Sequence, residues 1–286
     1  MSTFFTADPH FGHANIIRYT GRPFQQPSDY VIDEEGLVKW ASPYIKKQRA
    51  REMTGALIKN FNSVVGPNDD VYIDGDFAMG TTKEVLEYIR MLNGNLKFLW
   101  GNHDDMLKQV ATIIDLYPDL RNRVKFLGDY HETYVQGQHI ILTHYAMRVW
   151  NKSHHGSWNL YGHSHGTLAD DPHALAIDIG VDCHQYKPIS FEQVKEIMSK
   201  KFWQPIDHHR RKKQEGGGHG YSRAEYEKAQ RFTLYQQLQK EFEGSTTTGL
   251  AQATKEFLEL NGDALLKASS MEGTTAQLDA RDINRK

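Results

Sequence analysis

The chain has 286 residues, 39% of them hydrophobic and 11% aromatic, enough for one sizeable core plus an appendage. Its 34 Lys and Arg against 36 Asp and Glu leave a net charge of −2, which argues against a broad basic face for gripping duplex nucleic acid but not against a local one. The single cysteine, Cys183, excludes an intramolecular disulfide and a thiolate metal cage, so a metal would have to be held by His, Asp, Glu or Asn.

The opening MSTFFTADPH has no basic segment leading into a long apolar run, and no stretch approaches 18 apolar residues. A cytoplasmic protein without a membrane span is therefore expected. Residues 3–7 form a strand candidate that ends in Asp8-Pro9-His10. Residues 44–62 have partial helical spacing through Ala56, Leu57 and Phe61. Residues 71–74 are a second strand, ending in Gly75-Asp76. Residues 81–92 predict a helix capped by Thr81 or Thr82, with Val85, Leu86 and Ile89 on one face. Residues 96–100 are a third strand, ending in Gly101-Asn102-His103-Asp104. Residues 133–135 and 139–143 flank Gly137 as a hairpin, and His144 follows. Residues 159–161 lead into Gly162-His163-Ser164-His165. A strand at 174–179 and a helix at 190–198 close a domain spanning 1–206.

Composition changes at residue 207. The charge run Asp207 to Lys213 and the glycines at 216–218 predict a linker over 207–221. Ser222 with Glu225 fits a capping box, and Phe232, Tyr235 and Phe242 contribute to a partial apolar stripe. Residues 222–286 are thus expected to be a nearly neutral helical tail, suited to docking in a homo-oligomer.

Every chemically rich cluster follows a short apolar run, as when strand ends of an α/β protein converge on one edge. Asp8, His10, Asp76, Asn102, His144, His163 and His165 supply imidazole, carboxylate and amide groups. Such a donor set suits Mn, Fe, Zn or Ni better than Ca or Mg. Seven groups exceed the needs of one ion, and two divalent ions can clamp the attacking and leaving oxygens of a displacement at phosphorus.

D-x-H, G-D, G-N-H-D, a lone His after a strand, and G-H-x-H, taken in that order, resemble the signature of the calcineurin-like metallophosphoesterases. The resemblance spans about residues 3–195. Its first and last blocks, with Arg22-Pro23-Phe24 and Gly180-Val181-Asp182, are similar to small bacterial and phage members. It implies a four-layer α-β-β-α sandwich of two mixed sheets. It also implies that Asp8, His10 and His165 hold one metal, that Asn102, His144 and His163 hold the other, and that Asp76 bridges them. A hydroxide between the ions would attack phosphorus, and His103, oriented by Asp104, would serve the leaving oxygen. Protein-phosphatase relatives usually carry Arg where Met79 stands, and a Glu where the third block here ends in Asp104. That departure weighs against dephosphorylation of proteins.

The expected activity is hydrolysis of phosphate esters with two divalent ions, manganese first among them and Ni, Fe or Zn as alternatives. Few Arg or Lys sit inside the blocks to balance a dianionic monoester, so the reading leans to phosphodiesters: cyclic nucleotides, oligonucleotides or nucleotide conjugates. The alternatives are a phosphomonoesterase and a metal-binding interaction scaffold without catalysis. His13, Arg22 and Arg148 are the candidate substrate contacts. For His13 the competing reading is a group that orients the metal site, and for Arg22 a surface ion pair. His131, His139, His173 and His184 are expected to be structural or exposed.

Overall fold

The computed structural model describes residues 1–206. The expected linker and tail lie outside the described residues, as does the homo-oligomer expectation that rested on them.

The elements follow in chain order. They are β1 (Thr3–Thr6), α1 (Ala14–Tyr19), β2 (Tyr30–Ile32), β3 (Val38–Trp40), α2 (Pro43–Val64), β4 (Asp70–Asp74), α3 (Thr82–Met91), β5 (Asn95–Leu99) and α4 (Asp105–Ile113). Then come β6 (Val124–Gly128), β7 (Tyr130–Val135), β8 (Gln138–Thr143), β9 (Trp158–Tyr161), β10 (Ala176–Asp178), β11 (Ile189–Ser190) and α5 (Phe191–Ser199). They build an α/β fold with two mixed sheets. One has the order β11-β1-β4-β5-β6, parallel except for β11. The other has the order β10-β9-β8-β7, parallel except for β7. The short β2–β3 hairpin stands apart.

Side chains alternate across a strand, and the five-stranded sheet uses both of its faces. Phe4, Val71, Ile73, Leu96 and Phe98 enter one core with Met53, Leu57 and Phe61 of α2, Val85, Leu86 and Ile89 of α3, and Leu107 and Val110 of α4. Phe5, Tyr72 and Leu99 enter a second core with Ile140, Leu142 and Leu160 of the four-stranded sheet and Phe191, Val194 and Met198 of α5. A slip of one residue in β1 or β4 would exchange the two faces, so the cores fix where each strand stops. Local signals agree with this packing. Thr81 and Glu84 form the capping box of α3, and Ser190 and Gln193 that of α5. Ser42 accepts from the Ile45 N–H, with Pro43 opening α2.

The parallel strands β1, β4 and β5 of one sheet and β8 and β9 of the other carry the motif blocks directly after their C-terminal ends. Backbone bonds tie the loops across: Ala7 donates to Ile179, Val181 to Ala7, Asp8 to Gly75, His10 to Asp76 and Gly162 to His144, at 3.0 to 3.1 Å. No helix among the described residues is long and apolar enough to cross a membrane.

Candidate metal centre

Each block turns sharply as it leaves its strand. Asp8, His10, Asp76, His163 and His165 all adopt positive φ, between 49° and 67°. Each such non-glycine residue costs of order 1–3 kcal/mol and persists only where its surroundings dictate it. The close approach also explains the glycines. A Cβ on Gly75 would run into the His144 ring and Gly101, and one on Gly101 would strike Asp76.

The turns bring two groups together. Asp8, His10 and His165 offer ligand atoms within 4.8 Å of one another, and Asp76, His144 and His163 do the same. Asp76 joins the groups. Its Oδ2 is 3.4 Å from His10 Nε2 and 3.6 Å from His144 Nε2. Asn102 Oδ1 lies 3.1 Å from His144 Nε2, which places the amide beside the second group.

The imidazoles are oriented from behind. His144 Nδ1 is 2.9 Å from the Asp74 carbonyl, and His165 Nδ1 is 2.7 Å from Asp182 Oδ2. Donation through Nδ1 leaves Nε2 free to act as a ligand atom in both rings. Asp182 is itself held by the Arg22 fork at 2.8 and 2.7 Å. The same guanidinium donates to the carbonyls of Asp8, at 2.8 Å, and Pro9, at 3.0 Å. One buried arginine thus fixes two blocks that are far apart in sequence.

Burial dominates the electrostatics. It pushes the Asp8 carboxyl up to about 8 against the pull of His144 and His165. It holds His10 well below the usual imidazole range despite Asp76. Burial also works upward on Asp76, but the His144 hydrogen bond, the His10 and His144 charges and the His103 N–H together hold it at about 2. His144 is lifted to about 9, since Asp76, Asp8 and the Asp74 carbonyl outweigh its burial. Asp8 Oδ1 and His10 Nε2 are buried without a hydrogen-bond partner. Orphaned atoms of that kind are costly, and these two sit among carboxylate oxygens and imidazole nitrogens, so the residues present fit divalent cations.

Two sequence expectations need correction. Arg22 is fully buried and all its donors face the interior, so it is neither a substrate clamp nor a surface ion pair. Asp104 does not orient the His103 ring. It is fully buried and accepts from the backbone N–H groups of Asp76, Phe77 and Gly101 at 2.7 to 2.9 Å, clamping the G-D and G-N-H-D turns together. His103 is exposed, its ring 5.7 Å from that of His10 and 6.2 Å from that of His13, and its backbone N–H donates to Asp76 Oδ1. His13 Nδ1 is 3.4 Å from His10 Nδ1, and burial followed by the His103 charge pushes it down to about 4. Arg148 is exposed on the loop after β8.

Sequence reasoning gave no role to Asp182 or Tyr145. Asp182 stands in Gly180-Val181-Asp182, where only the resemblance drew attention to it. Tyr145 directly follows His144. Its hydroxyl is 3.4 Å from Asn102 Oδ1, and its ring centroid is 4.6 Å from that of His163.

The chain resembles the calcineurin-like metallophosphoesterases in site as well as in sequence. No protein-family model matches it. It is 27% identical over 204 residues to an uncharacterized protein of Methanocaldococcus jannaschii, covering 69% of this chain and 91% of that protein. It is 26% identical over 209 residues to the gene 66 protein of Mycobacterium phage L5, covering 63% and 86%. Among solved structures, a protein of unknown function from Aquifex aeolicus aligns with a TM-score of 0.43 at 18% identity, covering 68% of this chain and 98% of that one. A structure described as a novel archaeal phosphodiesterase aligns at 0.34 with 15% identity, covering 63% and 84%. The E. coli phosphoesterase Yfce aligns at 0.29 with 14% identity, covering 63% and 78%.

Proposed function

We propose that residues 1–206 form the catalytic unit of a two-metal phosphodiesterase, in the four-layer α-β-β-α frame that the motif resemblance implies. The observation that carries the reading is the position of Asp76 Oδ2, which lies between His10 of one ligand group and His144 of the other. A carboxylate in that place would serve two cations at once. Asp8, His10 and His165 would hold the first, Asn102, His144 and His163 the second, with manganese the first choice. Bound there, divalent cations would supply Lewis acidity to a phosphoryl oxygen and lower the pKa of water.

The chain's own residues do the rest. Asp182 and the Asp74 carbonyl hold the Nδ1 protons of His165 and His144, so both rings present Nε2. His103, exposed above the centre, would protonate the leaving oxygen. Half-buried His13, kept neutral near pH 7, would accept or donate a hydrogen bond at a non-bridging oxygen. The diester preference is supported by Arg22. Its guanidinium, bonded to the Asp8 carbonyl, faces inward and offers nothing to the second charge of a monoester.

The test is hydrolysis of bis(4-nitrophenyl) phosphate beside 4-nitrophenyl phosphate after chelation and reloading with Mn, Ni, Zn or Mg. Metal-dependent cleavage favouring the diester is expected. A preference for the monoester would make the protein a phosphomonoesterase, and stoichiometric metal without turnover on either would make it a binding scaffold. A chain ending at residue 206 should retain the diester activity.

A further inference from the structure

A groove of about 740 Å³ starts at His13, beside the metal centre, and runs along α2 towards α3. Ala50, Ile58, Met79 and Tyr88 give it an apolar lining. Lys46, Lys47 and Arg51 line it as well, all three exposed. None of these cations has an ion-pair or side-chain hydrogen-bond partner among the described residues. Lys47 and Arg51 are four apart on one helix, where like charges repel. The one carboxylate in the lining, Glu84, accepts the N–H and hydroxyl of Thr81 through one oxygen at 2.8 and 2.9 Å, and it feels the charges of Lys47 and Arg51 without forming an ion pair with either. A second recess of about 900 Å³ shares Asn15, Pro43 and Lys46 with the groove and adds Arg18 and Trp40.

Three exposed cations within six residues, faced by a single carboxylate, leave the groove with an excess of positive charge that suits a multivalent anion. The apolar lining calls for flat, uncharged surface on the same ligand. From Lys46 to Ile58, α2 rises about 18 Å, longer than one mononucleotide needs. A single-stranded nucleic acid combines regularly spaced phosphates with bases that have apolar faces, and such strands are held by cationic grooves with aromatic contacts. An acidic peptide would meet the same cations but present no phosphoester to the adjoining centre.

We propose that this groove seats the strand flanking the scissile phosphate of an oligonucleotide, with its phosphates on Lys46, Lys47 and Arg51 and a base against the apolar lining at Tyr88. The substrate class rests on the phosphodiesterase reading, but the binding surface does not. The net charge of −2 is compatible with it, because a few neighbouring cations can make a local basic face on a chain that is nearly neutral overall.

The experiment uses the full chain loaded with manganese and a fluorescein-labelled phosphorothioate oligothymidylate followed by anisotropy. The triple variant K46A/K47A/R51A is expected to bind at least about tenfold more weakly, with a log-affinity-against-log-salt slope shallower by about 2. Its kcat/KM for an unmodified oligothymidylate should fall at least about tenfold relative to that for bis(4-nitrophenyl) phosphate, mainly through KM. K46R/K47R should bind as the parent does. The proposal is overturned if the triple variant binds the probe as tightly as the parent, or if polyglutamate displaces the probe as well as unlabelled oligothymidylate does. If the parent binds the probe through these cations yet cleaves neither diester, the groove stands and the catalytic reading falls.

Discussion

The two ligand groups differ in how they are held. In the first, Asp8 and His10 are buried, and His165 is steadied by a carboxylate that a buried guanidinium grips in turn. In the second, Asp76 and His144 are buried, but His163 and Asn102 are exposed, and the nearby Tyr145 hydroxyl makes a long contact at 3.4 Å. The first group lies where β1 joins the segment after β10, with hydrogen bonds on both sides. The second lies at the mouth. Preorganisation belongs to the interior and adjustability to the rim, so the first ion should bind more tightly than the second, and the second should exchange as substrate comes and goes.

The most severe way to break this comparison is to remove the joint. Asp76→Asn should abolish it, with metal content by mass spectrometry falling at both positions and hydrolysis falling to background. Retention of both ions with full activity would sink the two-ion reading. Next in size is His103→Ala, expected to keep both ions while slowing turnover on poor leaving groups by roughly 10²–10⁴-fold, the usual range for general acid catalysis. Aryl leaving groups should suffer less, and an equal loss on both kinds would assign His103 to phosphate positioning. Asp182→Asn probes the interior brace. The affinity of the tighter ion, followed by calorimetric titration of apo protein, should drop by about 10–100-fold while the weaker one hardly moves. Arg22→Met leaves Asp182 with His165 alone and strips the donors from the Asp8 and Pro9 carbonyls, and should cost about 3–5 kcal/mol in denaturant unfolding. The smallest effect belongs to the rim. Tyr145→Phe removes one long, exposed hydrogen bond, about 0.5–1.5 kcal/mol at most, and should weaken only the second ion, by less than about tenfold. If Tyr145→Phe proved more damaging than Asp182→Asn, the contrast between braced and adjustable groups would be reversed.

Much of this arrangement could be read in the sequence, because strand ends and ligand blocks coincide. Val71, Ile73, Leu96 and Phe98 advertise buried parallel strands, and the Thr81 or Thr82 cap marks the start of α3 within one residue. The elements that sequence reasoning missed are short or ordinary in pattern. The helix α1 has six residues, β6 has five, β2 and β3 have three each, and β11 has two. Their stability comes from tertiary contacts, which leave little local periodicity. The longer α4 was missed for another reason. Its first residue directly follows the G-N-H-D block, so the chemistry of Asn102 to Asp104 masked the Leu107–Val110 face. Arg22, beside a motif, reads as surface chemistry, and the resemblance makes Asp104 a partner of the His103 ring. Burial turns both inward to clamp backbone groups that no sequence pattern can display.

The left-handed backbone at Asp8, His10, Asp76, His163 and His165 has a consequence for how such sites change over generations. Asp, Asn and His are the non-glycine residues that enter this conformation most readily. They are also the residues that donate oxygen or nitrogen to a divalent ion. Selection for the turn and selection for the ligand therefore favour the same few amino acids. A lineage that gave up catalysis would still be steered towards them by the shape of the chain, whereas Val or Ile would fail on both counts. A signature of this kind should outlast any reaction it serves, and its gradual loss should begin at Asn102 and His144, the two proposed ligands outside that positive-φ set.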